Sequence, residues 1–125
     1  RTSTIGHELQ SNYGLLNWFL SQESSCKGFN KAIFSGLPTV VFAQVIRDVV
    51  LKNTQLTGLY HVAAQPINKY DLLKMIAKVY KKEINIEADG NLIIDRSLDA
   101  SKFNQVTGYN PPTWQNLIET MYQYQ

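Results

Sequence analysis

Tyr70 and Lys74 have the spacing of an acid–base pair. Four residues apart on a helix, two side chains lie on one face, where an ammonium group can assist a tyrosine that donates a proton. Tyr70, however, begins a predicted helix in a polar segment, where little would activate its phenol. We therefore predict a structural role for the pair and assign no catalytic residue to this chain.

The sequence offers no other nucleophile or metal site of recognisable spacing. His7 and His61 are isolated from any other histidine or cysteine, and Cys26 is the only cysteine. One cysteine excludes an intramolecular disulfide and a cysteine-based zinc site, and no histidine lies nearby in the sequence to activate the thiol. We predict no bound metal, a reducing compartment, and a structural, hydrogen-bonded His61.

The glycines are too widely spaced to form a phosphate-binding loop. All seven are at least eight positions apart, so neither the dinucleotide-binding GxGxxG spacing nor a P-loop occurs. The chain by itself is therefore not expected to hold a dinucleotide.

The composition is that of an ordinary globular domain. Of 125 residues, 44% are apolar and 18% are charged, and the formal net charge is +2. The only basic cluster, Lys78 with Lys81 and Lys82, is too small for a nucleic-acid surface. No apolar run approaches the roughly 20 residues of a membrane span, and no signal peptide is visible. We expect no nucleic-acid or membrane partner and, by default, a cytoplasmic location.

Apolar periodicity predicts helices alternating with strands. The predicted helices are 12–21 (capped by Ser11 or Asn12), 39–53 (capped by Thr39), 68–80 (capped by Asn68), 99–107 (begun by Asp99, ended by Gly108) and 113–122 (capped by Thr113). The predicted strands are 29–35, 58–63, 83–87 and 91–95, and the segment 22–28 is predicted as a polar turn. Within the 68–80 helix, Leu72, Leu73, Ile76, Ala77 and Tyr80 form the predicted inward stripe. Such alternation indicates an α/β fold.

Three groups of residues carry a family resemblance: RTSTIGHE at the start, GLYHVAAQPINKYDLLKMIAKVY in the middle, and SLDASKF followed by TGYNPPTW. In this order they resemble the C-terminal portion of an extended short-chain dehydrogenase/reductase acting on nucleotide sugars, of the dTDP-4-dehydrorhamnose reductase-like group. The resemblance implies the substrate-binding subdomain of a Rossmann-type enzyme, with a small mixed sheet and about four helices. Residues 1–8 would end the Rossmann domain, and 9–125 would form the substrate-binding domain.

The resemblance also implies which parts of the enzyme lie elsewhere. The glycine-rich loop and the catalytic Tyr and Lys of such enzymes precede the RTS segment, which again excludes Tyr70 and Lys74 from catalysis. Because the chain begins at Arg1, we expect a missing N-terminal Rossmann domain that binds NAD or NADP in the intact enzyme. No cofactor is expected on this fragment, which should not turn over alone.

Candidate site residues follow from the resemblance and from what a nucleotide sugar requires. Thr2, Ser3, Thr4 and Ile5 are candidate neighbours of the cofactor, with a plain strand end as the alternative. The diphosphate needs cations, the base needs an apolar or aromatic slot, and the sugar needs hydroxyl partners. The substrate-binding candidates are His7, Trp18, Lys27, Lys31, Phe34, Ser35 and Arg96. Arg96 is the first choice because its planar guanidinium suits phosphate, and a surface ion pair with Asp95 or Asp99 is its alternative.

The predicted function is the substrate-binding portion of an NAD(P)-dependent nucleotide-sugar reductase, which reduces a 4-keto sugar in the intact enzyme. One alternative is an epimerase or dehydratase of the same family, and another is a non-enzymatic protein-interaction module. A truncated Rossmann domain should leave apolar surface bare around Ile5, Leu9 and the 15–20 helix. Self-association into a homo-oligomer is therefore also expected.

Overall fold

The computed structural model describes residues 1–8 and 14–124. Within these ranges the chain has five α-helices: α1 Leu15–Ser21, α2 Thr39–Val45, α3 Lys69–Val79, α4 Ser101–Thr107 and α5 Trp114–Gln123. The strands are β1 Thr4–Ile5, β2 Ser25–Phe29, β3 Ala32–Phe34, β4 Leu37–Pro38, β5 Ile67–Asn68, β6 Asn85–Asp89 and β7 Ile94–Asp95. This arrangement confirms the predicted α/β class and the five helices predicted from periodicity, where the family resemblance implied about four.

The strands form three small sheets. β1 pairs with β4 and β2 with β6, both in parallel. The third sheet has the order β5-β3-β7, in which β3 runs antiparallel to β5 and parallel to β7. β3 is thus the central strand between two segments from distant parts of the chain.

The core lies between α3 and the neighbouring helices and strands. Leu72, Leu73 and Ile76 on α3 are buried, which confirms the predicted stripe, and Ala77 and Tyr80 pack partly buried against the same core. Helix α5 contributes a second apolar face, formed by Trp114, Leu117, Ile118 and Met121. Burial of such side chains is the main stabilising contribution to a domain of this size.

Three predicted helix boundaries are confirmed. The side chain of Asn68 accepts the backbone N–H of Asp71 at 2.9 Å, and Thr113 accepts that of Asn116 at 3.3 Å. Gly108 ends α4 in the left-handed conformation, with φ of +74°. Asp99 precedes α4 and accepts the N–H of Ser101 at 2.9 Å, although the helix itself begins two residues later than Asp99.

The predicted cap of the second helix is wrong. Thr39 is the first helical residue and Pro38 precedes it, and the Thr39 hydroxyl lies 3.5 Å from the carbonyl of Ile5 instead of capping the helix. After Val45 the helix widens into a π-helical turn, Ile46–Val50, and therefore ends before Asn53.

Several strand boundaries also differ from the prediction. The segment 58–63 forms no strand. It makes isolated backbone hydrogen bonds, such as that from the N–H of Val62 to the carbonyl of Arg1, instead of a continuous ladder of them. Most of the predicted turn 22–28 belongs to β2. The alternation of apolar and polar side chains in β2 is interrupted by Gly28. Tyr70 packs against this glycine so closely that an added Cβ would lie 2.8 Å from Cδ1 of Tyr70. The first strand of the predicted pair begins at Asn85 rather than Glu83, and its predicted partner β7 pairs with β3 instead.

The start of the chain is more enclosed than predicted. Gly14 precedes α1, while the predicted caps Ser11 and Asn12 lie outside the described residues, as does Leu9. The expectation of bare apolar surface is wrong for Ile5, which is 4% exposed, and for Leu16 and Phe19, which have no exposure. These side chains fill the domain's own core. In the same helix, however, Trp18 is 37% exposed, and other large apolar side chains are exposed at Leu51, Leu59, Ile93 and Val106.

No helix in the described part of the chain is both long enough and apolar enough to cross a bilayer.

Candidate functional site

A cavity of about 570 Å³ opens beside the central strand β3. Its lining residues are Arg1, Thr2, Ser3, Ile33, Phe34, Lys69, Ile94, Arg96 and Leu98. They come from four separate parts of the chain, and we call this space the β3 cavity. Its volume is in the range of small-molecule sites, roughly 300–1,000 Å³.

The pairing of β3 brings these parts together. Ile33 is the register partner of Asn68 on one side and of Asp95 on the other. The backbone N–H of Arg96 also donates to the carbonyl of Ile33 at 3.0 Å. Lys69 and Arg96 each follow a residue that pairs with Ile33, so the two cations enter the cavity wall from opposite sides of one strand.

The loop after β3 fixes the other wall. Ser35 has no exposed surface, and its hydroxyl accepts the backbone N–H of Leu98 at 2.9 Å. Its carbonyl accepts the N–H of Ala64 at 2.8 Å. Gly36 lies so close to Ser3 that an added Cβ would be 2.8 Å from the carbonyl oxygen of Ser3. Only glycine allows this approach between the first residues and the end of β3.

The β3 cavity is cationic. Arg1, Lys69 and Arg96 line it, and none of the lining residues is acidic. The carboxylate of Asp95 accepts the N–H and the hydroxyl of Ser97 at 2.8 and 2.6 Å, and these bonds lower the pKa of Asp95. Three positive side chains above an apolar floor suit an anionic ligand with an apolar or aromatic part.

Arg96 is exposed and makes no ion pair with a described residue. Asp99, the second acid considered as its partner, accepts the N–H of Ser101, and bonds from Ser101 lower the pKa of Asp99. The described residues therefore do not support the alternative, a surface ion pair of Arg96 with Asp95 or Asp99.

The four candidate cofactor neighbours divide into two pairs. Thr2 and Ser3 line the β3 cavity, and the Thr2 hydroxyl donates to the carbonyl of Val62 at 2.8 Å. Thr4 is exposed and is absent from the cavity lining, whereas Ile5 is buried in the core. Thr2 and Ser3 are thus the two whose surfaces a ligand in this cavity can reach.

The substrate-binding candidates near β3 are also divided. Phe34 lines the cavity, with its ring centroid 6.2 Å from that of Trp114. Ser35 does not line the cavity, but its hydroxyl accepts the N–H of Leu98, which does. Lys27 lies on the β2–β6 sheet, where its exposed ammonium group is 3.7 Å from the largely buried carboxylate of Asp89. Lys31 is an exposed turn residue. Neither lysine lines the β3 cavity.

His7 and Trp18 lie apart from the other candidates. The Nε2 atom of His7 is 2.9 Å from the hydroxyl of Tyr80, and His7 lines a separate cavity of about 310 Å³ with Thr39, Met121 and Tyr124. Burial lowers the pKa of His7, partly offset by the backbone of Met121. Burial, with a smaller contribution from Tyr122, raises the pKa of Tyr80 to about 12. Trp18 is 37% exposed on α1.

Sequence reasoning missed five of the nine lining residues: Arg1, Ile33, Lys69, Ile94 and Leu98. Lys69 is the one of these for which the sequence held a signal. It is partly buried at the first position of α3, directly after the cap Asn68. A cation there is unfavourable next to the positive end of the helix dipole, and this mismatch was the available signal.

The Tyr70–Lys74 pair has the geometry of a surface contact. The ammonium group of Lys74 lies 5.2 Å from the centre of the Tyr70 ring, and both residues line a shallow depression beside β6. Neither residue lines the β3 cavity. Among the described residues, no group of three or more His, Cys, Asp and Glu side chains could hold a metal ion.

Comparison with solved structures places this fold among known enzymes. The chain superposes on dTDP-4-dehydrorhamnose reductase from Bacillus anthracis, solved in complex with NADP, with a TM-score of 0.73. The sequence identity is 14%, and the match covers 98% of this chain and 46% of the reductase. For dTDP-glucose 4,6-dehydratase from the same organism, in complex with NAD, the TM-score is 0.67 and the identity 16%, covering 98% of this chain and 42% of the dehydratase.

A third solved structure is RMD from Pseudomonas aeruginosa, complexed with NADPH. Its TM-score is 0.63 at 16% identity, covering 96% of this chain and 44% of RMD. No protein-family model and no curated protein matches the sequence. The chain thus spans less than half the length of each of these solved proteins, and over that length it shares their fold.

Proposed function

We propose that this chain is the substrate-binding portion of an NAD(P)-dependent nucleotide-sugar reductase, similar to dTDP-4-dehydrorhamnose reductase, that reduces a 4-keto sugar. The observation that carries the proposal is the composition of the β3 cavity. Two residues expected near the cofactor, Thr2 and Ser3, share this cavity with two expected to hold the substrate, Phe34 and Arg96. A hydride-transfer site requires such a junction of cofactor and substrate contacts.

In the proposed reaction the nicotinamide supplies the hydride to the C4 carbonyl carbon, and the carbonyl oxygen takes up a proton. The acid, the glycine-rich loop and most cofactor contacts belong to an N-terminal Rossmann domain. This chain binds and orients the substrate: Arg96 attracts the diphosphate and Phe34 offers an aromatic surface to the base or sugar. The hydroxyls of Thr2 and Ser3 lie where the cofactor and the sugar meet.

NADPH oxidation with a dTDP-4-keto sugar tests the proposal. The 125-residue chain alone should show no turnover, whereas the complete protein from the full reading frame should consume one NADPH per sugar reduced. In the complete protein, Arg96→Leu should raise KM more than it lowers kcat, because the residue binds substrate in both ground and transition states. Turnover by the 125 residues alone would contradict the assignment.

The fold similarity to dTDP-glucose 4,6-dehydratase keeps a second candidate function open. In a dehydratase or epimerase, the hydride leaves the sugar and returns to it, so no net NADPH is consumed. Conversion of a nucleotide sugar by the complete protein with catalytic amounts of NAD, and without net oxidation, would favour this second function over the reductase.

A further inference from the structure

We infer that Lys69 is a second binding residue for the diphosphate of the substrate, acting opposite Arg96 across strand β3. This inference rests on the proposed function, since it names how the same cavity grips its ligand. It adds to that function a residue outside the RTS segment and outside the SLDASKF motif.

The register of the three-stranded sheet sets the separation between the two backbone segments that carry Lys69 and Arg96. Asn68 and Asp95 face Ile33 from opposite sides, and adjacent strands are about 4.8 Å apart, so their backbones are separated by roughly 10 Å. Lys69 and Arg96 follow these two residues directly. They step in opposite directions along β3, because β5 is antiparallel and β7 parallel to it, so their backbones are roughly 12 Å apart. Long flexible side chains at that separation can both reach one diphosphate placed between them, with one cation on each side.

The ammonium group of Lys69 is available for such a ligand. It forms no ion pair with a described residue. The nearest acid along α3 is Asp71, whose carboxylate accepts the side-chain amide of Asn68 at 2.8 Å. By contrast, Lys27 is paired with Asp89, and Lys102 donates to the carbonyl of Leu59.

The helix itself does not explain why a lysine occupies position 69. It is the first residue of an 11-residue helix, where the dipole and the free N–H groups favour acidic side chains. It is also partly buried instead of fully solvated. A bound diphosphate would compensate both costs, because its negative charges meet the cation and the positive end of the helix together.

Calorimetric titration of the 125-residue chain with dTDP, UDP and GDP at low ionic strength tests the inference. We expect the best ligand to bind about tenfold or more weakly to Lys69→Met, since charge-assisted hydrogen bonds contribute more than neutral ones. The matched control is Lys74→Met, which removes a cation from the same helix outside the cavity and should leave the Kd unchanged. Lys69→Arg should retain most of the affinity.

A second readout separates a binding role from a structural one. Raising the salt concentration should weaken binding to the unmodified chain more steeply than to Lys69→Met, because one screened contact has been removed. The corresponding nucleoside, which lacks phosphates, should bind both proteins equally weakly.

Each outcome bears on one claim. If Arg96→Leu weakens binding and Lys69→Met does not, the inference about Lys69 is wrong and the proposed function stands. If Lys69→Met weakens nucleoside and nucleotide equally, its role is structural and the inference is again overturned. If the unmodified chain binds none of the three nucleotides or inorganic pyrophosphate at millimolar concentration, both the inference and the proposed function fail.

Discussion

The hydroxyl of Ser35 accepts the backbone N–H of Leu98 at 2.9 Å across 63 positions of sequence. This bond joins the end of β3 to the loop that carries Arg96. Replacing Ser35 by Ala leaves a half-buried N–H without its acceptor, which should lower the free energy of unfolding by about 1–3 kcal/mol. Urea denaturation measures the change, and nucleotide affinity should fall as well because the wall carrying Arg96 loosens.

Ser25→Ala is the control for this substitution, because Ser25 is exposed on β2, away from the cavity. Its unfolding free energy should stay within about 0.5 kcal/mol of the unmodified protein. Equal stability of the two variants would show that the Ser35 bond does not hold the loop.

The cap of α3 positions Lys69 and should contribute to stability. Asn68→Ala removes the acceptor for the N–H of Asp71, so we expect a loss of about 1 kcal/mol in the free energy of unfolding. Asn68→Ser keeps an oxygen at the cap and should lose less. Chemical denaturation of the three proteins checks this order, and a Ser variant no better than Ala would argue against capping as the cause.

Lys81 is the one non-glycine residue with positive φ, +56°, in the described part of the chain. Lys81 follows α3, where the N–H of Lys82 donates to the carbonyl of Ala77 at 2.9 Å. This hydrogen bond is typical of a helix C-terminus whose left-handed residue, here Lys81, is usually glycine. Lys81→Gly should therefore stabilise the protein by about 1 kcal/mol, by removing a steric cost.

The same substitution three residues earlier should have the opposite effect. Lys78 is exposed within the last turn of α3, where glycine costs about 1 kcal/mol through backbone entropy. Thermal melts of Lys81→Gly and Lys78→Gly should shift in opposite directions. A decrease for both would mean that the left-handed conformation at Lys81 is not strained.

Acidification should destabilise the protein through His7. Burial lowers the pKa of His7 in the folded state, so between that value and the unfolded value of 6.5 the unfolded chain binds more protons. The stabilisation is complete above pH 6.5 and is lost as the pH falls through the folded pKa. The melting temperature should therefore drop with pH less steeply in His7→Gln than in the unmodified protein, and an equal drop in both would contradict this role of His7.

Local signals in the sequence were sufficient for the helices of the second half. Asn68, Thr113 and Gly108 act through bonds and dihedrals within a few residues, so the sequence predicts their roles directly. The strands were harder to predict because their pairing is not local. β2 pairs with β6 about 60 positions away, and its alternation is masked by Gly28.

The candidate site was predictable only in part for the same reason. Arg96 and Phe34, chosen from their chemistry and their place in the sequence, both line the β3 cavity. Lys69 enters the cavity only because β5 and β7 pair with the same strand, which no short segment encodes. Conversely, His7 and Trp18 suited the chemistry but lie on other surfaces of the fold.

The central claim is that the β3 cavity holds the nucleotide sugar, and a ¹H–¹⁵N correlation titration of the 125-residue chain with dTDP-glucose tests it most directly. We predict saturable shifts for the backbone amides of Thr2, Ser3, Phe34, Lys69 and Arg96, with little change in β2 and β6. Shifts confined to the cavity of His7 or to the β2–β6 sheet, or none at millimolar ligand, would contradict the account.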